Sequence, residues 1–457
     1  MAKIPTLTPI EYLADSSHWF RALRHLPHPV WLDSCRPFSL YGRYDILAAD
    51  PEILLTTRGQ TSRILKGNQL LLETDESPFN LIRRYLPTGY QPGHLPFCGG
   101  ALGYFSYDLG RRLENLPNLA VQDIELPDGH LGIYPWAIVQ DHEQQQAWLV
   151  ELSGLGNAAK SRQRQVFHDL KQNIKSCDKS FKINRFYSKV NANIYAKAFE
   201  KIQDYIQAGD CYQVNYAQRF SASFEGDPFD AYLALRAALP SPFSAYLETE
   251  QGAVLSLSPE RFIQVKNGIA QTQPIKGTIA RDPDPEADAR NADLLQISAK
   301  DRAENLMIVD LLRNDLSKHC QQVSVPALFA LQSFANVHHL VSTVSAHLNP
   351  GVDALQVLED CFPGGSITGA PKIRAMEIIE ELEPVRRSVY CGSLGYLSAC
   401  GQMDTNIAIR TLVADRGQLH CWGGGGIVAD SIATAEYQES LTKVRLLMET
   451  LEKRFGQ

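Results

Sequence analysis

An α+β fold is predicted by the texture of this sequence. The first 150 residues are short β-like runs broken by Pro and Gly, the second half mixes β-prone runs with well-marked helices, and no steady βαβ rhythm joins them. The 457 residues, 44% hydrophobic and 21% charged, can bury a large core, and the length predicts two or three domains. Composition places the divisions at an N-terminal lobe over 1–150, a polar helical connection over 151–190 and a larger lobe over 191–457.

In the first lobe, Gly99-Gly100-Ala101-Leu102-Gly103-Tyr104-Phe105-Ser106-Tyr107-Asp108 reads as one of the β-like runs. Residues 157–189 are rich in Lys, Gln and Ser, with a single helical pattern around Val166 and Leu170. A helix follows. Asn193 is placed to cap it, Tyr195, Phe199, Ile202 and Ile206 recur at helical spacing, and Gly209 ends it. Strands are expected over 211–220, 253–257, 393–397 and 407–413. The helix from Asp301 to Leu312 is apolar nearly all round in its later turns, which predicts burial. Near the C-terminus Tyr437, Leu441, Val444, Met448 and Leu451 form the expected core stripe of a long helix, with Glu436, Glu439 and Lys443 on the adjacent stripe.

Charge narrows the partners. A net charge of -7 and the lack of a basic stripe alternating with aromatics argue against nucleic acid or an anionic membrane surface. No segment reaches the eighteen or so apolar residues of a membrane span, and the start has no apolar signal core, so a cytoplasmic location is expected. Nine scattered cysteines without a C-x-x-C pair are expected to be reduced, structural thiols.

Candidate chemistry begins with Gln273-Pro274-Ile275-Lys276-Gly277-Thr278, a strand-like run that carries a lone amine and closes on glycine. Burying an ammonium is costly unless it is paired or loses its proton, which makes Lys276 a candidate nucleophile or base. Asp301 and Glu304 share a helix face, and Glu436 and Glu439 form a second acid pair. Two such pairs without a Cys or His cluster would suit Mg²⁺, though a solvated acidic face with an ordinary Glu439–Lys443 pair is the simpler reading of the last helix. The run from Pro363 through Ser366 to Lys372 enters a helical pattern and offers amides to an anion; Gly423 to Gly426 either admits a ligand close to the backbone or makes a tight turn. Arg410 could grip a carboxylate with two parallel bonds, helped by Tyr390, and Glu260 is either a general acid or a partner for Arg261.

Together these segments resemble the chorismate-utilising family of anthranilate, isochorismate, salicylate and aminodeoxychorismate synthases. The resemblance runs in order through eight segments between residues 258 and 443, within a similar region of about 190–450, and Gly103-Tyr104-Phe105-Ser106-Tyr107-Asp108 extends it to the first lobe. It implies two large antiparallel β-sheets packed face to face with flanking helices, the substrate lying in a cleft of the larger, catalytic lobe. Family members that add water carry a lysine base where this chain has Gln213, and anthranilate synthases carry alanine where it has Lys276. Both positions are similar to component I of aminodeoxychorismate synthase. The activity so implied is a transferase-type amination of chorismate by ammonia to 4-amino-4-deoxychorismate, toward 4-aminobenzoate and folate.

By the same resemblance, Glu304 and Glu439 hold Mg²⁺ with Asp301 and Glu436 in support; Lys443, Gly424 and Gly425 assist at the ring carboxylate; and Arg410 and Tyr390 hold the enolpyruvyl carboxylate. Lys276 is the implied nucleophile and Glu260 the implied acid; Ser366, Thr278, Gln213 and His339 line the substrate, and His338 is structural. No cysteine lies in a G-x-C-x-G setting, so ammonia would come from solution or from a glutaminase subunit, component II. Trp31-Leu32-Asp33-Ser34 departs from the Leu-Leu-Glu-Ser segment of tryptophan-inhibited members. The rival readings are component I of anthranilate synthase, which would release pyruvate, and a non-catalytic protein that binds chorismate or a glutaminase.

Overall fold

The computed structural model describes residues 3–39, 42–153, 160–161, 164, 166–168, 181–333 and 337–456. Most of the proposed 151–190 connection, Leu170 included, lies outside these residues, although Val166 is helical and buried.

Among the described residues the strands form two large sheets, one of 13 strands and one of 12. The pairings between their strands are antiparallel, and each sheet draws strands from both ends of the chain. In the first, Val30–Asp33 pairs with Phe243–Glu248, which leads through Gly252–Ser258, Thr411–Asp415 and Gln418–Ile427 to Gln213–Glu225. In the second, Gly100–Phe105 pairs with Ser393–Ser398, and Ile275–Ala280 pairs with Val337–Leu348.

Alternation along Gly252–Ser258 shows how the layers stack. Val254 joins a core shared with Leu394, Met403 and Ile263 of the other sheet, whereas its neighbours Ala253, Leu255 and Leu257 join a second core. Side chains on a strand point to opposite faces in turn, so one face of this sheet meets the other sheet and the opposite face meets helices. That second core holds Phe229 and Tyr232 of the helix Pro228–Ala238 and Val444, Leu447 and Leu451 of the helix Ala433–Phe455. A strand covered on both faces is nearly all apolar, as this one is.

Several elements depart from the sequence reading. The helix ending at Gly209 (φ 83°) begins at Ala192, capped by Asn191 rather than Asn193: the Asn191 side chain accepts from Ile194 N at 3.0 Å. Both asparagines can cap, and pattern alone does not choose between them. The strand expected over 407–413 starts only at Thr411, because Arg410 takes a left-handed φ of 49° and turns the chain first. The acid helix Ala299–Ser317 is buried on one side only, through Asn305, Ile308, Val309, Leu312, Asp315 and Leu316, while Leu306 is 46% exposed.

The buried line of the C-terminal helix also shifts. It runs through Glu436, Ser440, Val444, Leu447 and Leu451, leaving Tyr437, Leu441 and Met448 half-buried. The cause is close backbone approach: a Cβ on Gly423 would stand 2.0 Å from the Ser440 carbonyl oxygen, so at this crossing the helix must present Ser440 to the sheet.

A buried ion pair ties the strand Val30–Asp33 to the helix Pro228–Ala238. Arg236 Nε donates to Asp33 Oδ2 at 2.8 Å and its Nη2 to Asp33 Oδ1 at 3.1 Å, while Tyr232 Oη donates to Asp33 Oδ2 at 2.8 Å. Both charged side chains are shut off from solvent, and without Asp33 the Arg236 guanidinium would keep only Asp15 Oδ1 at 2.8 Å and the Arg36 carbonyl at 2.7 Å. Asp33→Ala is expected to destabilise the protein by about 3–5 kcal/mol. Chemical denaturation reads this as a lowered midpoint; an unchanged midpoint would mean that the pair contributes nothing.

Candidate active site

Lys276 lies on the strand Ile275–Ala280, followed by Gly277 at φ 80°. The glycine is needed because a Cβ there would meet Leu295 Cδ1 at 2.8 Å and Asp301 Cβ at 3.0 Å, so the strand passes directly against the start of the acid helix. This brings the amine among charges from three separate elements. Burial pushes its pKa down and Lys443 pushes the same way, while Glu304, Glu260 and Glu439 pull it back; the net direction is down.

Glu260 sits just beyond the strand Gly252–Ser258, buried, its backbone N–H bonded to Ser258 Oγ at 3.2 Å. Arg261 is not its partner: that guanidinium bonds Asp404 through Nε at 2.9 Å and Nη2 at 3.0 Å. Glu260 Oε1 accepts instead from Ser366 Oγ at 3.0 Å, so the 363–372 segment delivers a hydroxyl to the carboxyl group. Burial raises the Glu260 pKa to about 7, against the lowering pull of Ser366, Lys276 and Lys443. A carboxyl group poised there can give up a proton at neutral pH.

The acids converge around the glycine strand Gln418–Ile427. A Cβ on Gly425 would lie 3.1 Å from Glu436 Oε2 and 3.3 Å from Glu439 Oε1, so the absence of a side chain opens the floor beneath both carboxylates. Lys443 Nζ reaches Glu439 Oε1 at 2.7 Å and the Gly424 carbonyl at 2.7 Å. Burial raises Glu304 and Glu436, and the charge of Glu439 adds to the rise in both. Glu439 itself feels the same burial, yet Lys443 outweighs it and the net shift is down. Asp301 stands at the first turn of the acid helix and pushes the Glu304 pKa up. Among the described residues no three His, Cys, Asp or Glu side chains are gathered closely enough to form a ready-made cation cage.

Arg410 approaches from the turn before Thr411–Asp415. Burial lowers its pKa and Glu260 opposes the shift; among the described residues its guanidinium has no hydrogen-bond or ion-pair partner. Tyr390 is buried and stacked on Trp422 with centroids 5.7 Å apart, and the bond from Cys391 N to the Ala408 carbonyl, 2.9 Å, holds it beside the Arg410 turn. His339 is buried with Nδ1 2.7 Å from Thr278 Oγ1, and burial together with the Arg410 charge lowers its pKa to about 4, so its ring is neutral at neutral pH. Gln213 is buried at the strand beside Gly426, and among the described residues neither of its amide atoms has a hydrogen-bond partner. His338 bonds Asp288 and Ser333 at 3.0 and 2.8 Å, away from this group.

Two contributors escaped the sequence reading. Lys300 lies 3.8 Å from both Glu304 Oε1 and Glu436 Oε1, bridging the two helices, and Ser431 Oγ donates to Glu436 Oε1 at 2.7 Å. The i,i+4 spacing of Lys300 and Glu304 was a visible signal; nothing local marked Ser431.

The site thus combines a half-buried amine, a nearly neutral carboxyl group, a free guanidinium and an acid cluster with two attendant lysines. A profile of the chorismate binding enzymes matches residues 28–449. Aminodeoxychorismate synthase component 1 of Salmonella typhimurium is 47% identical over 98% of this chain and 98% of its own length, and that of Escherichia coli is 48% identical over 95% and 96%. The crystal structure of anthranilate synthase component I from Streptococcus pneumoniae superposes with a TM-score of 0.79 at 32% identity, covering 90% of this chain and 93% of that one. With a family profile spanning almost the whole sequence and relatives aligned end to end, the chain belongs to the chorismate binding enzyme family.

Proposed function

We propose that this chain is the synthase component that converts chorismate and ammonia to 4-amino-4-deoxychorismate, with a glutaminase subunit supplying the ammonia. The observation that carries the reading is the placement of Lys276 amid Glu260, Glu304 and Lys443, together with the end-to-end similarity to two aminodeoxychorismate synthase components.

In this reading Arg410 and Tyr390 orient the enolpyruvyl carboxylate. The neutral Lys276 amine attacks ring carbon 2, both conjugated ring double bonds shift, and the hydroxyl at carbon 4 departs as water with the Glu260 proton. Ammonia then adds at carbon 4, both double bonds shift back, and the bond from carbon 2 to Lys276 breaks. The enolpyruvyl group is retained throughout. Gln213, Ser366, Thr278 and His339 line the ring, and a neutral His339 adds no charge that would oppose deprotonation of Lys276.

The acid cluster fits Mg²⁺, which takes one or two carboxylates and completes its octahedron with water and substrate oxygens, so a closed cage is not required. The upward push of Glu439 on both Glu304 and Glu436 is the observation that favours a cation there. Glu304 and Glu439 would hold it, supported by Asp301 and Glu436, and the ion would neutralise and fix the ring carboxylate. Lys443 and the Gly424–Gly425 backbone border the same place.

The purified chain incubated with chorismate, ammonium and Mg²⁺ is expected to yield 4-amino-4-deoxychorismate without pyruvate. Direct release of anthranilate and pyruvate would overturn the assignment, and binding without turnover would make the chain a non-catalytic relative.

Gly425→Ala tests the floor of the acid cluster. Its methyl group would press on both carboxylates by a few tenths of an ångström, and since a misplacement of about 1 Å can cost 10²-fold, a smaller loss of about tenfold in kcat/KM is expected. A normal rate would show that the carboxylates move aside freely.

A further inference from the structure

We infer that Cys98 and Cys400 form a redox-active dithiol, which a hydroperoxide converts to a disulfide that clamps the strand Gly100–Phe105 to the hairpin following Ser393–Ser398. The two cysteines lie at the end of one ladder. Ser398 is registered opposite Gly100, and Ala399 N bonds the Gly99 carbonyl at 2.8 Å, so Cys98 just before one strand meets Cys400 in the turn beyond its partner.

A single hydroxyl joins them. Ser398 Oγ accepts the Cys98 N–H at 3.1 Å and lies 3.2 Å from the sulfur of Cys98 and 3.2 Å from that of Cys400, which bounds the separation of the two sulfurs. With the two thiols meeting at this hydroxyl, the neighbouring Cys98 pulls the Cys400 thiol down to about 6 while the Cys98 thiol is pushed up. Cys400 is thus the more readily ionised thiol of the two. The thiolate is the reactive form, and Cys400 is the only described cysteine that is not fully buried.

The backbone has room to close on the Cys400 side, whereas Gly99 beside Cys98 packs against Leu152. Gly99 at φ 99° and Gly401 at φ 83° flank the pair, and a Cβ on Gly401 would meet nothing within 4 Å, so the turn is open on its outer side. The other buried thiols behave as small apolar groups. None of the chemistry proposed at Lys276 uses Cys98 or Cys400, and the inference stands or falls independently of that reading.

The oxidation balances with one hydroperoxide. The Cys400 thiolate attacks the peroxide oxygen, the O–O bond breaks, and with one proton taken up a molecule of water leaves a sulfenic acid. Cys98 sulfur then attacks the sulfenic sulfur and gives up its proton, the S–S bond forms, and the departing hydroxide leaves as a second water. Two thiols are oxidised and the peroxide oxygens are reduced.

The full chain is treated with hydrogen peroxide, quenched with iodoacetamide and mapped by peptide mass spectrometry. The expected result is one cross-linked peptide pair carrying Cys98 and Cys400, lighter by two hydrogens, formed as both alkylation sites disappear together and reversed by dithiothreitol. In Cys98→Ser the Cys400 sulfenic acid should persist and be captured by dimedone. Wild-type protein in which Cys98 and Cys400 remain alkylated, in which Cys400 passes to sulfinic acid without a cross-link, or in which the bond joins two chains would overturn the inference. The wild-type map needs no variant, so a Cys98→Ser chain that fails to fold leaves the test intact.

Discussion

Lys276→Ala is expected to lower ammonia-dependent amination by on the order of 10³-fold or more, the scale on which loss of an activated nucleophile acts, while chorismate binding changes little. An ordinary lysine, with a pKa of roughly 10.4, is almost wholly protonated at pH 7 and a poor nucleophile. In this site burial and Lys443 both favour loss of the proton. The carboxylates of Glu304, Glu260 and Glu439 pull the other way, and neutralising the acid cluster would lower the pKa further. Lys276→Arg should not rescue the rate, because a guanidinium keeps its proton. Product analysis alongside a chorismate-binding titration separates the two effects. Near-normal turnover of the alanine variant would remove the lysine from the chemistry.

Glu260→Gln is expected to slow the reaction by about 10²–10⁴-fold, the usual contribution of a positioned general acid. Its pH signature is more specific than its size. The raised pKa, about 7, means that the proton needed by the leaving hydroxyl is present below that value and lost above it, so kcat/KM should fall on the alkaline side of about 7. Lys276 must be neutral at the same time, which sets the acid limb, and the two limbs belong to the coupled pair rather than to either residue alone. The glutamine variant should lose the alkaline limb. A limb that survives unchanged would point to another acid.

Much of this site was legible in the sequence because its parts lie on regular elements whose spacing advertises them. Lys276 beside Gly277, the i,i+3 acid pairs and the glycine run at 423–426 each carry a local signature, and the helix ending at Gly209 has its expected left-handed cap. What local pattern could not supply was contact across the fold. Glu260 and Arg261 are neighbours in sequence, yet they part, one to Ser366 and the other to Asp404, because the chain turns between them. The buried stripe of the C-terminal helix followed the close approach of Gly423 instead of the largest apolar residues, which drew Glu436 inward. Ser431 was invisible for the same reason: its role depends on where a loop ends against a helix, not on its neighbours in the chain.

The interleaving of early and late strands governs how such a molecule can be made. Cys98 and Ser398, in direct contact, are separated by 300 positions, so the strand at Gly100–Phe105 leaves the ribosome long before one of its two flanking strands exists. Until then its open edge is a template for wrong pairing, and ordering of the sheet must wait for distant segments to arrive. Slow acquisition of native structure, and aggregation of fragments cut between the strand partners, should follow from topology alone.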